Sequence, residues 1–164
     1  MTDRQQLQHL FQFDLWSTGI LARLYMEKEP FYEQEPVLSQ LSHIINAQNI
    51  WFDRLFPHHS QESSQQAWER FSAKDLYPKA KESTRKWIDF IADHEVDLDV
   101  IITYQSSTGH TYINSIRQIC HHLIIHGQHH RAQISLFLKN SDIVPPPMDY
   151  IHYARTHHPD PAAN

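Results

Sequence analysis

Large apolar residues recur at intervals of three and four over four long stretches, and this spacing most constrains how the chain folds. Leu7, Leu10, Phe11, Asp14, Leu15, Thr18, Leu21 and Leu24 keep it from about Asp3 to Glu29. A period near 3.6 residues is that of an α-helix burying one face. Glu29-Pro30 and Glu35-Pro36 mark a break, and Pro36 suits the first turn of a second helix that stops near Phe56, before Pro57. Trp68 and Phe71 are apolar anchors, and Ser72-Ala73-Lys74-Asp75 after them resembles a capping box. Behind it Tyr77, Ala80, Thr84, Trp87, Ile88 and Ile91 trace a third helix to about Asp93. The last runs from about Ile113 to Lys139, with Asn140 as a C-terminal cap. Only three glycines and nine prolines in 164 residues leave few turns, so the elements are long.

These stretches predict an all-α fold, a four-helix bundle whose topology the pattern alone leaves open. Val100 to Tyr104 and His110 to Tyr112 read as a short hairpin before the last helix. Pro57 to Gln66 is a polar loop, and Ser60 to Gln66 within it is the only biased segment. From about residue 141 the chain, with Pro145-Pro146-Pro147, reads as a tail extended over the surface. The length suits one domain over residues 1–164 with a proper core.

The formal charge is −5 and the basic residues are scattered, which argues against a nucleic-acid partner. No apolar stretch approaches membrane-spanning length, and Met1 to Gln6 shows no signal-peptide pattern. Cys120 is the only cysteine, so no internal disulfide forms and a reducing compartment fits. The expectation is a cytoplasmic protein without a membrane partner.

Histidines number fourteen, and pairs such as His58-His59 and His157-His158 sit where solvated surface explains them. His126 and His130 are different. Four residues advance a helix by about 400°, so the two rings project within about 40° of one another. Ile119, Leu123 and Phe137 share their stripe, so both rings face the interior. Two adjacent buried imidazoles are hard to satisfy by hydrogen bonds, and one divalent ion satisfies both. His122, also four from His126, makes a second possible pair. His129 is less favourable, and His121 points away. Cys120 lies off the face, and Arg131, at about 140° from His126, is expected on the surface or at a dimer contact.

A third ligand has to come from a facing helix. His43, with Ala47 and Ile50 on its face, looks inward from the second helix, while His9 on the first is the competing candidate. Gln133, Asn46, Asp14 and His122 are candidate positioning residues or ordinary polar contacts. Histidine ligation further predicts that metal binding weakens below a pH of about 6.5.

The segment His126-Gly127-Gln128-His129-His130-Arg131-Ala132-Gln133 is similar to the His-x-x-x-His-Arg-Gly-Gln segment of the DinB-like (damage-inducible) superfamily. Phe13-Asp14-Leu15-Trp16, Ser42-His43-Ile44 with Trp51, and Pro146-Pro147-Met148-Asp149-Tyr150-Ile151 agree with it. Ala132 stands where that family often has Gly, and His129 replaces a common Tyr. The resemblance implies a four-helix bundle in an up-up-down-down arrangement, frequently a homodimer. It also implies a divalent metal, zinc or nickel, on His43, His126 and His130, with His122 as a neighbour. Relatives include thiol transferases using bacillithiol or mycothiol, and hydrolases. The resemblance thus implies an enzyme acting on a small-molecule substrate, with a low-molecular-weight thiol as possible cosubstrate. The alternative is a non-catalytic, metal-stabilised helical protein of stress response or interaction.

Overall fold

The computed structural model describes residues 1–56, 66–106 and 108–157. The expected polar loop from Pro57 lies, up to residue 65, outside the described residues, as does His158. Four long helices dominate: α1 (Asp3–Lys28), α2 (Gln34–Arg54), α3 (Leu76–Ala92) and α4 (Ile116–Asn140). An antiparallel pair, β1 (Ile101–Gln105) and β2 (Thr111–Ser115), separates α3 from α4, and a short α5 (Tyr150–His157) follows. The fold is mostly helical, and among the described residues no helix is long and apolar enough to cross a membrane.

Local chemistry sets the helix starts. Thr2 and Gln5 form a capping box at α1, and Ser115 and Gln118 form another at α4. The second explains why α4 begins three residues later than its periodicity predicts: Ser115 ends the hairpin and caps the helix. The expected box at Ser72 is absent. Its hydroxyl donates to the Asp75 carboxylate, 2.5 Å away, and a 3-10 turn, Ala73–Asp75, leads into α3.

Residues 29–33 join α1 to α2, a link short enough to force the two antiparallel. Arg4 reaches the carbonyls of Ile91, Asp93 and Val96, while Arg23 stacks over Tyr77, so α3 runs opposite to α1. Arg117 pairs with Asp3 and Arg131 with Asp14, so α4 runs with α1. The order is therefore up-down-down-up, not the up-up-down-down arrangement expected. The tail differs in part. Residues 143–149 form no helix or strand, as expected, but Met148 is buried in the core, and α5 packs Tyr153 against Phe13 and Trp16 of α1.

Two apolar clusters fill the interior. One gathers Leu21, Tyr25, Leu41, Ile45, Ile134 and Leu138, and the other gathers Phe11, Trp87, Ile91, Ile119 and Leu123. A buried polar layer lies between them. Arg131 donates to Asp14 at 2.5 Å and to Thr18 at 3.1 Å, and Gln48 donates to the other Asp14 oxygen at 2.8 Å. Ser83 and Thr84 donate in turn to the Gln48 side-chain oxygen at 2.9 and 3.0 Å. All four long helices are thereby joined, in a layer where an unpaired group would be costly. Gly127 has a packing reason here: a Cβ would collide with Asp14 Oδ1 and stand 2.9 Å from Arg131 Nη1.

Candidate metal centre

Because α2 and α4 run antiparallel, His43 on α2 meets His126 and His130 on α4. His126 Nε2 stands 3.2 Å from His43 Nε2 and 3.0 Å from His130 Nε2, and the three ligand atoms lie within 4.8 Å of one another. With nitrogen about 2.0–2.1 Å from a zinc-sized ion, two ligand nitrogens stand roughly 2.9 Å apart at a right angle and roughly 3.4 Å at the tetrahedral angle. The two short separations fall inside that interval. His43 and His130 are only 9% and 7% exposed.

What turns the rings inward is the opposite nitrogen of each. His43 Nδ1 lies 2.7 Å from the Ala67 carbonyl oxygen, an acceptor that requires the proton on Nδ1. His130 Nδ1 faces the side-chain oxygens of Gln40 and, at 3.2 Å, Gln133. Asn46 holds the Ala67 segment in place by donating to the Glu69 carbonyl at 2.7 Å. Both rings are thus fixed in the tautomer whose Nε2 lone pair points at His126, the pattern of partners that orients metal-bound imidazoles.

That arrangement defeats hydrogen bonding among the three. Two of the converging nitrogens carry lone pairs, and a single His126 proton cannot serve both neighbours along straight bonds. At least one short N···N contact is left with no proton between its nitrogens, and a cation at the meeting point removes the conflict. The residues therefore fit a divalent ion. Burial above all, then the neighbouring imidazoles, pushes His126 down to about 3. Burial and His43 hold His130 at about 4, against the raising effect of Gln133, and burial also lowers His43. All three rings are neutral near pH 7, as ligands must be.

Trp68, 53% exposed, lies flat on His43 with ring centroids 3.8 Å apart. The sequence marked it only as an apolar anchor. Gln40 and the Ala67 carbonyl were also missed. Gln40 carried a weak signal, one turn before His43 on the same helix. The backbone oxygen of a loop carried none.

Other candidates fall elsewhere. His122 flanks the site, its ring 5.4 Å from His126 and 5.3 Å from Trp51. His129 is exposed, though its ring lies 5.1 Å from that of His130, and His121 is exposed. His9 is buried against Tyr150 and Tyr153 of α5, away from the three histidines. Cys120 is buried in the apolar cluster and its thiol is pushed up to about 12. Arg131 corrects an expectation: it is 0% exposed, not on the surface. Its direction away from the histidines points it at Asp14 on α1, where the sequence offered solvent or a partner.

Fold and site together define a mostly helical protein in which three inward imidazoles can hold a divalent ion. A model of the DinB family matches residues 23–161, and the chain belongs to that family. No curated protein and no solved structure matches it.

Proposed function

We propose that His43, His126 and His130 bind one divalent ion, zinc or nickel, and that the protein is a metal-dependent enzyme acting on a small molecule. The observation that carries this reading is the fixing of His43 and His130 through Nδ1, which aims their Nε2 atoms at His126. Three protein ligands leave a coordination position open, and a divalent ion there supplies Lewis acidity toward a thiol or a water. The surrounding residues do the rest: Ala67, Gln40 and Gln133 hold the rings, and Trp68 covers one face of His43.

Thiol transfer and hydrolysis are the two reactions this reading admits. Cys120 is the chain's only cysteine, and burial in apolar surroundings keeps its thiol protonated and out of reach. A transferase of this kind therefore takes its thiol from a low-molecular-weight cosubstrate. The reading extends to one four-helix-bundle domain, cytoplasmic and homodimeric. Ile125 and Leu136, exposed on the outer side of α4, support the dimer. No nucleic acid or membrane is among its partners.

The test is elemental analysis of untagged protein purified without a metal column, beside the His43→Ala/His126→Ala variant. About one equivalent of metal in the wild type and none in the variant is expected. Turnover of a thiol with an electrophilic dye, or of model esters, then separates transferase from hydrolase. Stoichiometric metal with neither turnover would favour a metal-stabilised, non-catalytic protein. A wild type that neither carries nor takes up zinc or nickel would overturn the reading.

A further inference from the structure

The face shared by α2 and α4 continues past the three histidines toward the hairpin. His122 lies one turn before His126 on α4, and Trp51 lies two turns after His43 on α2, their rings 5.3 Å apart. Trp51 packs edge-on against Tyr104 of β1 at 4.8 Å. Arg54 closes the row. Its guanidinium lies 4.4 Å from the Trp51 ring centroid and 5.2 Å from that of Tyr104.

Arg54 is unusual for what it lacks. It is half-buried, yet among the described residues no carboxylate pairs with it and no acceptor takes its N–H donors. Ring faces attract the charge and leave the donors without a protein acceptor among the described residues, open to water or to a ligand. A place in the last turn of α2 favours any cation, but that effect asks only for a side chain reaching into water. Arg54 instead lies over two aromatic rings, which hold its guanidinium at the end of the row. A planar, pre-set guanidinium with free donors matches a carboxylate. The other ionisable side chains packed on the row are His122, from α4, and Tyr104, from β1, and neither is a carboxylate.

We propose that Arg54, framed by Trp51, Tyr104 and His122, is the anion-binding end of the substrate site, receiving the carboxylate of a small organic molecule whose reactive end lies at His43, His126 and His130. This rests on the reading of those histidines as a metal centre. From His43 to Arg54, α2 rises about 16 Å, and Arg54 turns back over Trp51 into that interval, so a molecule of roughly eight to ten heavy atoms in extended form spans it. Such a residue selects substrates by charge without touching the reacting atoms.

The test uses the full-length protein and three probes: hexanoate, its neutral amide, and the dicarboxylate suberate. Binding is followed by tryptophan fluorescence and calorimetry, with and without zinc. On zinc-free protein hexanoate should bind about tenfold tighter than hexanamide. Arg54→Gln should erase that preference, and Arg54→Lys should keep part of it. On zinc-loaded protein suberate should gain a further tenfold over hexanoate, lost again in Arg54→Gln. Equal binding of acid and amide by the wild type, or a preference that survives Arg54→Gln, overturns the anion site. An acid preference without the suberate gain overturns its link to the histidines. Failure to bind zinc at all sinks the metal reading alone, because the zinc-free comparison still decides whether Arg54 holds a carboxylate. Arg54→Gln is checked for an unchanged melting temperature, so that lost binding is not lost folding.

Discussion

Two polar clusters lie side by side along α4, and they answer the cost of burial in opposite ways. Around Arg131 the charges and amides pair with one another: guanidinium with carboxylate, carboxylate with Gln48, Gln48 with two hydroxyls. Around His126 three groups of the same kind converge, two with their lone pairs held toward the middle. Within the first cluster every buried polar side-chain atom but Arg131 Nε finds a partner among the protein's own described atoms. The second gathers ligand atoms that could hold a positive ion. Adjacent residues, His130 and Arg131, thus belong to different kinds of chemistry because the helix aims one at α2 and the other at α1.

The largest effect that tests this contrast is all-or-none. His126→Ala removes the nitrogen at the centre of the histidine cluster, and metal content should fall from about one equivalent to none, with any metal-dependent turnover. Elemental analysis and activity on the same preparation check it. Melting temperature of the zinc-free protein should not drop, because that substitution relieves an acceptor conflict.

The paired cluster should behave in the reverse sense. Arg131→Leu leaves Asp14 charged, buried and alone, and should destabilise the protein by about 3–5 kcal/mol. That loss should appear in denaturant unfolding with zinc or without it. Adding Asp14→Leu should recover part of it, because the stranded charge is gone. Gly127→Ala should destabilise by about 1–3 kcal/mol, since its Cβ collides with the same ion pair. An Arg131→Leu protein of normal stability that had lost its metal would abolish the distinction between the clusters.

How much of this was legible in the sequence follows from what each feature depends on. The long helices and the inward face of His126 and His130 depend on local periodicity, which the sequence displays. The same logic offered His43 beside His9 for the third position, and the family resemblance chose His43. Arg131 failed because a helical wheel gives direction but not what stands there, and α1 was standing there. The helix order failed because the resemblance was taken over whole, although the few residues between Lys28 and Gln34 already force α1 and α2 antiparallel. The tail was legible as far as residue 149, but a proline run says nothing of the aromatic residues beyond it, and Tyr153 docks on α1. Ala67 contributes only a backbone oxygen, which no side-chain pattern reveals.

A smaller effect separates ring placement from ring identity. Gln40 accepts from His130 Nδ1 but cannot reach the ion, so Gln40→Ala should weaken zinc binding by about tenfold or more while leaving stoichiometry at one. A chelator competition titration measures it. Unchanged affinity would mean that packing alone aims His130, and the outward hydrogen bonds would lose their place in the reading.

The smallest expected effect is a near-absence, and it revises what histidine ligation implies. Free imidazoles titrate near 6.5, so ligation by exposed histidines would weaken steeply below that pH. Here His126 is held at about 3, His130 at about 4, and His43 is lowered too. The folded, zinc-free protein therefore keeps His126 and His130 neutral at pH 5, and burial makes His43 harder to protonate than a free ring, so the ion has few protons to displace. Zinc affinity should change by less than about threefold between pH 8 and pH 5 and collapse only toward pH 4. Stability of the zinc-free protein should move differently. Each folded-state value lies below the unfolded one, so between about 4 and 6.5 the unfolded chain binds more protons. Stability is then lost as pH falls through that window. Chelator competition at pH 8, 6.5 and 5, beside denaturant unfolding of zinc-free protein over the same range, reads both. A tenfold loss of affinity already at pH 5 would mean that the rings swing apart and protonate when the ion leaves. The convergence of the three nitrogens would then be a property of the loaded site alone, and the histidine cluster would no longer be the pre-formed counterpart of the Arg131 layer.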